Sequence, residues 1–425
     1  MSPLSADAAR ALPGPSWLRA VREAAAERAL ASTLPTEAEE IWRYSRIGEL
    51  DLDRYHPADA MTPVSASDEA IRAAIEGTKA IIPAPAAFVM VVDGRVVHHE
   101  VDAALAARGV RVGSPDDERS VGEIMTDAPD VYAELNTAFA TAPIVIDVPD
   151  GVVVEAPVIV SNFAATEGLL TFPRVVVRVG ADSRLTVLEH HSSADVAALT
   201  LPVAELQVGE AGRLRYLAVN QLGPRAWQVA SQVARGAASS STLVANVALG
   251  GDYARVRTDA RLDGRAASGD QIAAYFADET QMHDFRTLQD HAAPKTTSDL
   301  LFKGAVAGRA RSVYSGLIRV RKEAPGTSAF QTNRNLKLSE GAWADSVPNL
   351  EIDTNDVRCS HASAVGPVDS EQRFYLESRG VPPERAEELI VNGFFSEVLE
   401  RLPVPELVPA LRSHIADKLS RRDAS

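Results

Sequence analysis

The pair of residues with the clearest capacity for metal chemistry is Cys359 and His361, which are separated by a single residue. On a β-strand, side chains two positions apart point to the same face, so the thiol and the imidazole would lie side by side. A neighbouring imidazole favours the thiolate, which is the form of cysteine that binds metals. Sulfur and nitrogen donors together suit iron. The pair therefore predicts half of a metal site.

Two donors do not complete an iron–sulfur site, because such clusters are normally held by four protein ligands. Cys359 is the one cysteine of the sequence, so any further thiolate would have to come from another chain. In the alternative interpretation, Cys359 is a small buried hydrophobic residue and His361 a hydrogen-bonded core histidine. The spacing of the two residues leaves both interpretations open.

The remaining histidines are better explained as structural residues. They include two adjacent pairs and one pair eight residues apart: His98 with His99, His190 with His191, and His283 with His291. Rings of adjacent residues on a strand face opposite ways, so the adjacent pairs are poor metal sites. Signatures of common catalytic sites are also missing, including any Gly-Lys dipeptide for a phosphate-binding loop. The sequence predicts no catalytic residues and no intrinsic ATPase.

Charge and hydropathy exclude two kinds of partner. The chain has 58 acidic and 43 basic residues, a formal net charge of −15, whereas nucleic-acid binding depends on basic side chains at phosphates. The first residues lack the basic segment and apolar core of a secretory signal. The most apolar stretch, residues 143–160, is interrupted by acidic residues and prolines, so it does not predict a membrane span. We therefore expect a cytoplasmic protein with neither nucleic-acid nor membrane partner.

Residues 1–140 predict a helical domain that contains a small β-hairpin. Thr36 and Glu39 form a capping box, which predicts a helix over the residues that follow. Two β-rich stretches flank Asp93-Gly94, a strong signal for a two-residue hairpin turn. At the other end of the chain, residues 368–425 predict a C-terminal helical domain, in which Asp369 caps the first helix.

Residues 141–367 predict the core of the molecule. Short runs rich in Val, Leu and Thr alternate with turn residues, and the segment 179–185 recurs as 208–214, an offset of 29 residues. Strand–turn–strand repeats without helices predict a β-solenoid or a sandwich. Aromatic residues make up only 5% of the chain, and this, with the length of the tract, favours a solenoid whose coils stack on their neighbours.

The stretch from 291 to 402 resembles the SufB/SufD family of iron–sulfur cluster assembly scaffolds. Its matching motifs follow one another in order: His291-Ala292-Ala293-Pro294, Phe302-Lys303-Gly304, residues 331–339 (QTNRNLKLS), residues 356–361 (DVRCSH) and residues 374–380 (FYLESRG). A weaker match, residues 40–44 (EIWRY), is similar to the family's Glu-Trp-Arg-Tyr element with an inserted isoleucine. The chain resembles the SufD type, because SufB-type chains carry several cysteines and a Glu where this chain has Ala362.

The resemblance implies a right-handed parallel β-helix core between N-terminal and C-terminal α-helical domains. It also implies a complex of SufB, SufD and two copies of the ATPase SufC, with SufC on the C-terminal helices and SufB against the β-helix. Cys359 and His361 would then be metal ligands shared with SufB for a nascent, transient iron–sulfur cluster. A reduced flavin is associated with some of these complexes, and no residue here is assigned to it. The sequence leaves open whether the isolated chain forms a homodimer.

Three alternatives stay open on the sequence. The chain could be a SufB-like or homodimeric scaffold, or a structural adaptor in which Cys359 is inert. It could also be a β-helix carbohydrate-active enzyme, which would need paired carboxylates as acid and base or nucleophile. The acidic residues clustered near the motif would be its candidates: Asp345, Glu351, Asp353 and Asp356.

Overall fold

The computed structural model describes residues 4–59, 62–64, 66–116, 121–126 and 128–422. Helices occupy both ends of the chain, and strands occupy the middle. The N-terminal helices are α1 (Ala6–Ala11), α2 (Ser16–Ala31), α3 (Asp68–Ile81), α4 (Ala103–Ala107) and α5 (Val131–Phe139). The C-terminal helices are α6 (Ser370–Ser378), α7 (Pro383–Leu399) and α8 (Val408–Arg422). Single 3-10 turns span Glu40–Trp42, Ile47–Glu49, Leu52–Arg54 and Pro405–Leu407.

The strands form two sheets. The first sheet contains β1 (His56–Pro57), β4 (Arg111–Gly113), β5 (Ile144–Val148), β7 (Leu169–Thr171), β8 (Arg174–Val179), β10 (Leu199–Thr200), β11 (Val203–Val208), β13 (Trp227–Gly236), β15 (Tyr253–Leu262), β17 (Met282–His291), β19 (Arg311–Val320) and β21 (Trp343–Ile352). The second sheet contains β2 (Ala87–Val92), β3 (Arg95–Val101), β6 (Val158–Ala164), β9 (Arg184–Ser193), β12 (Arg213–Gln221), β14 (Ser241–Ala248), β16 (Ser268–Ala277), β18 (Thr297–Val306), β20 (Thr327–Lys337) and β22 (Val357–Gly366).

From β11 onward, each strand pairs in parallel with the strand two places along the chain, so every turn of the coil puts one strand into each sheet. The predicted repeat is confirmed, because Val179 is paired with Val208 and Leu185 with Leu214. The protein is a β-solenoid of about eight turns with helical segments at both termini, as predicted. The right-handed sense of the coil and the domain boundaries at residues 140 and 367 stay predictions.

One corner of the solenoid is built from stacked residues with left-handed backbone conformation. Successive coils place a non-glycine residue there: Asp182 (φ 53°), Ala211 (φ 53°), Ser239 (φ 56°), Ala266 (φ 59°) and Lys295 (φ 60°). The N–H of each donates to a carbonyl of the next coil, as Ala211 does to Ala238 and Ala266 to Pro294. Such conformations are unfavourable for residues with a Cβ, so the hydrogen bonds between coils hold them in place.

The predicted hairpin is confirmed, with Asp93 and Gly94 in its turn at φ values of 50° and 78°. Its first strand, β2, pairs in parallel with β6, so the hairpin extends the second sheet. The predicted cap of α6 is also present, because the Asp369 carboxylate accepts hydrogen bonds from the backbone N–H groups of Glu371 and Gln372.

The prediction of a helix after Thr36 and Glu39 is wrong. The Glu39 carboxylate does accept the Thr36 N–H at 3.0 Å, but only the 3-10 turn Glu40–Trp42 follows. The carbonyl of Ile41, which a helix would use for its own hydrogen bond, accepts instead from the Arg255 guanidinium at 2.8 Å. That guanidinium also stacks on the Trp42 ring, so tertiary contacts with the solenoid override the local helix signal.

Candidate functional site

The last coil of the solenoid, formed by β21 and β22, is an open end. These two strands are the terminal members of the two sheets, and among the described residues no further strand pairs with their outer edges. Side chains that point inward from this coil therefore have a neighbouring coil on one side only. Residues that are buried in β20 have exposed counterparts in β22, as for Asn335 and Val365.

Cys359 and His361 both lie on this open inner face. Cys359 is paired with the buried Ala329, and His361 with the buried Gln331, on the preceding coil. The alternation of the strand thus places the two side chains on one face, as predicted. The face is positioned by the whole ladder of parallel strands beneath it.

The Cys359 thiol is half-buried and packs against an apolar cluster that includes Ile318 and Val320. Burial raises the pKa of the thiol, and a hydrogen bond with the Ala329 backbone lowers it by less. The protonated thiol is therefore the main form at neutral pH in the free chain. This corrects the expectation that the neighbouring imidazole favours the thiolate. Metal binding at Cys359 would require loss of this proton.

The exposed His361 ring is held by the strand opposite. Its Nδ1 lies 3.0 Å from the backbone carbonyl oxygen of Pro348 on β21. Because a carbonyl oxygen can only accept, Nδ1 must carry the proton and donate it. In the neutral ring, Nε2 then keeps its lone pair, which is the arrangement found in metal-binding histidines whose other nitrogen is hydrogen-bonded to a carbonyl. His361 is thus not a core histidine.

Sequence reasoning missed the partner residues of this face on β21. Besides Pro348, Ser346 lies there, and its Oγ accepts a hydrogen bond from the Ser363 Oγ at 2.8 Å. Both contacts join β22 to β21 across the two sheets. The spacing within one strand carries no signal for such contacts, because they depend on how the two sheets face each other.

A buried polar network supports the last coil from below. Asn333 and Asn335 of the 331–339 motif point inward, and the Tyr275 hydroxyl donates to Asn335 at 2.8 Å while it accepts from Asn333 at 2.9 Å. Gly304 provides the room, since a Cβ there would lie 1.9 Å from the Tyr275 ring. Asn333, Asn335 and Gly304 therefore have a structural role inside the solenoid. A buried polar group that loses its hydrogen-bond partner destabilises the fold.

His283 and His291 are buried and hydrogen-bonded, as expected of structural residues. His283 Nε2 lies 3.2 Å from the Gly250 carbonyl oxygen, and His291 contacts the hydroxyls of Thr296 and Ser298. Burial lowers the pKa of His283 to about 3 and that of His291 to about 4. Across the described ranges, no group of three or more His, Cys, Asp or Glu side chains is placed to hold a metal ion.

The carboxylates of the alternative carbohydrate-active site have other contacts. Glu351 is bound by the Arg319 guanidinium at 2.8 Å, and Asp345 accepts the backbone N–H of Ser346. Both lie on β21, whereas Asp353 and Asp356 lie in the corner that follows that strand. An ion pair and a local hydrogen bond are structural roles, so these contacts do not favour a glycosidase.

Comparisons with known proteins identify the family of the chain. The family model for "SUF system FeS cluster assembly, SufBD core domain" matches residues 162–394. An iron–sulfur cluster assembly SufBD family protein of Mycobacterium tuberculosis is 35% identical over 318 residues, covering 73% of this chain and 78% of the relative.

Two relatives carry the name of the SufD subunit. The iron–sulfur cluster assembly protein SufD of Escherichia coli is 26% identical over 399 residues, covering 92% of this chain and 91% of the relative. The protein of the same name in Bacillus subtilis is 30% identical over 291 residues, or 67% and 66% of the two chains. In the described part of the chain, no helix is sufficiently long and apolar to cross a membrane. Fold, motif positions and relatives agree: the chain belongs to the SufBD family of iron–sulfur cluster assembly proteins.

Proposed function

We propose that the chain is the SufD-type subunit of a SufB–SufC–SufD complex, where Cys359 and His361 supply part of the ligand set for a nascent iron–sulfur cluster. The observation that carries this proposal is the open last coil, which presents a thiol and an imidazole on one face, with Nδ1 of the imidazole hydrogen-bonded to the Pro348 carbonyl. Iron and sulfide are the cargo here, and two donors from this chain leave the remaining ligands to a partner.

The proposed partner at this face is the end of a SufB β-solenoid. Exposed edge strands present unpaired backbone groups that another strand can pair with, and β21 and β22 are edges of ten residues each. A second solenoid end would continue both sheets and cover the inner face. The cluster would then form in a junction shielded from solvent, and the contact would bring SufB ligands opposite Cys359 and His361.

The proposed SufC site is on the C-terminal helices. Phe374 and Tyr375 of α6 are 72% and 57% exposed, and they lie on the helical segment that the resemblance assigns to SufC. Exposed aromatic side chains of this kind are typical anchors in protein interfaces. ATP hydrolysis would belong to SufC, and movement of the terminal helices would open the SufB junction. This chain would act as a scaffold rather than as an enzyme.

Three observations favour a SufD-type subunit over a SufB-like or homodimeric scaffold. The chain has one cysteine, Ala362 follows the His361 of the motif, and the relatives in Escherichia coli and Bacillus subtilis are named SufD. The raised pKa of Cys359 in the free chain also fits a site that binds a cluster only when a partner chain supplies the remaining ligands. A reduced flavin in the complex stays a prediction without an assigned residue.

The test is coexpression of the chain with SufB and SufC homologues, followed by anaerobic loading with iron and sulfide. We expect His361→Ala and Cys359→Ser to abolish most of the visible absorbance of the cluster, while the complex elutes unchanged from a sizing column. Ser360→Ala is the matched control, since Ser360 lies between them and points to the opposite face of β22. Unchanged loading in both site variants would refute the proposed ligand roles.

A second arm separates this function from a homodimeric scaffold. The isolated chain is loaded under the same conditions as the complex, at equal concentrations of iron and sulfide. We expect little cluster absorbance without SufB, because the chain alone lacks the other ligands. A stable cluster on the isolated chain that is lost in Cys359→Ser would instead establish the homodimeric scaffold.

A further inference from the structure

A cavity of about 310 Å³ lies at the end of the second sheet opposite to the open coil. Its floor is the outer face of β2, β6, β9 and β12, and its walls are α3 and the first turn of α8 with the 3-10 turn before it. Apolar side chains dominate the lining, among them Ile81, Met90, Ile159, Phe163, Leu188 and Leu411. No Asp, Glu, Lys or Arg lines it within the part of the chain that the structure describes.

A hydrogen-bonded chain of three polar side chains begins on the floor of the cavity. His190 Nε2 lies 2.9 Å from the amide oxygen of Gln221, and the amide nitrogen of Gln221 lies 2.9 Å from His414 Nδ1. An amide oxygen only accepts, so His190 must carry its proton on Nε2 and keep a lone pair on Nδ1. Burial lowers the pKa of His190 to about 4, so the ring is neutral near pH 7. The lining thus contains one ring nitrogen that can accept a hydrogen bond.

The floor of the cavity contains one small side chain that leaves space for a ligand. Ser161 on β6 is 6% exposed and lines the cavity. It lies between Ile159 and Phe163, which point to the same face of the strand and also line the cavity. A larger side chain at Ser161 would therefore occupy the volume.

We propose that this cavity is a binding site for a neutral, mainly apolar small molecule that carries one hydrogen-bond donor. The size is within the range of small-molecule sites, which are mostly apolar with few polar groups that orient the ligand. The absence of charged lining residues selects a neutral compound, and the His190 Nδ1 lone pair selects a donor. The ligand would touch α3, the second sheet and α8 together. The site is separate from Cys359 and His361.

The test uses N-phenyl-1-naphthylamine, a neutral fluorescent probe with two aromatic groups and one N–H, titrated into the full-length chain. We expect saturable binding of one probe per chain, and a several-fold lower affinity for the N-methylated probe, which has lost the donor. Ser161→Phe places a ring in the cavity and should weaken binding at least tenfold. Ser161→Ala is the matched control and should bind within about twofold of the original chain, since it barely changes the volume.

Each outcome bears on the proposal. Circular dichroism checks the fold of the variants, and Val219→Phe, which fills the cavity from β12, replaces Ser161→Phe if that chain does not fold. Absence of saturable binding to the original chain would overturn the site. So would equal binding to a folded filled variant, because the probe would then occupy another surface. Equal affinity for the methylated probe would remove the assigned hydrogen bond to His190.

Discussion

At the scale of single residues, the backbone of β21 holds the His361 ring in the state that the proposed ligand role requires. The acceptor of its Nδ1–H is the carbonyl of Pro348, which belongs to an edge strand, where a residue without an N–H is tolerated. Cys359 is not prepared in the same way, because burial raises the pKa of its thiol. The two proposed ligands therefore differ in readiness, and deprotonation of Cys359 becomes the step that a metal or partner must drive.

The single cysteine makes this state directly measurable. We expect the pH midpoint for alkylation of Cys359 by iodoacetamide to lie above the ordinary thiol value of 9.0, because the thiolate is the reactive form. Mass spectrometry of the free chain over a pH series gives the midpoint. His361→Ala should leave it unchanged, since burial and the Ala329 backbone set the pKa. A midpoint below the ordinary value, or one that rises in His361→Ala, would show that the imidazole does activate the thiol.

The buried His291 should make stability depend on pH. Its pKa is about 4 in the folded chain against 6.5 for an ordinary histidine, so below pH 6.5 only the unfolded state takes up the proton. Stability from this residue is constant above that value and falls as the pH decreases toward 4, by up to ~1.4 kcal/mol per pH unit. Urea unfolding at several pH values should show the stability advantage over His291→Gln shrinking in that window. A constant difference between the two chains across that window would contradict the prediction.

At the scale of elements, a buried ion network attaches the N-terminal segment to the solenoid. Asp284 on β17 is contacted by the guanidiniums of Arg255 at 2.6 Å and Arg286 at 2.7 Å. These two arginines in turn donate to the carbonyls of Ile41 and Arg43. Burial by itself would raise the pKa of Asp284, but the two positive charges outweigh it and the pKa is lowered. Segment 40–44, which resembles a motif of the family, is thus attached to the solenoid through its backbone carbonyls.

Neutralising the centre of this network should be costly. Asp284→Asn leaves two buried guanidiniums without their counter-charge, and breaking a buried ion pair in this way costs about 3–5 kcal/mol. The free energy of unfolding in urea measures the loss. The control is Asp259→Asn on the adjacent strand β15. The half-buried carboxylate of Asp259 pairs with Arg257 at 2.8 Å, and this variant should lose less than about 1 kcal/mol of unfolding free energy. Equal losses would mean that the network does not hold the segment.

At the scale of the whole molecule, the two ends of the solenoid differ. At one end the hairpin β2–β3 and the N-terminal segments continue or cover the sheets, while at the other β21 and β22 expose their inner face and edges. A solenoid is stable when each coil stacks on the next, and its terminal coils need a cap. The open coil therefore is the part of the surface with the strongest physical reason to bind another solenoid.

A charge on the inner face of the open coil should block that contact. Val365 points inward and is 44% exposed, so Val365→Lys would place an ammonium group where the partner must pack. We expect the free chain to fold normally but to lose the SufB homologue on a sizing column with light scattering. Ala364→Lys adds the same charge on the opposite face of β22 and should keep the complex. If Val365→Lys still formed the complex, the SufB contact would have to lie elsewhere on the surface.

Features that depend on short stretches of chain could be predicted from the sequence. The solenoid follows from a repeat of 29 residues, because equivalent strands stack at that offset, and the shared face of Cys359 and His361 follows from the two-residue period of a strand. The Asp93-Gly94 turn and the Asp369 cap are equally local. The order of family-like motifs then linked one cysteine to iron–sulfur chemistry.

The tertiary structure alone decided what happens between segments that are distant in sequence. The 3-10 turn at Glu40–Trp42 replaces a predicted helix because Arg255, more than two hundred residues away, binds its carbonyl. The proton position on His361 depends on a strand of the other sheet, and the raised pKa of Cys359 depends on how deeply the coil buries it. Backbone periodicity depends on residues that are neighbours in the sequence. Burial, proton positions and cavities arise only when the coils stack.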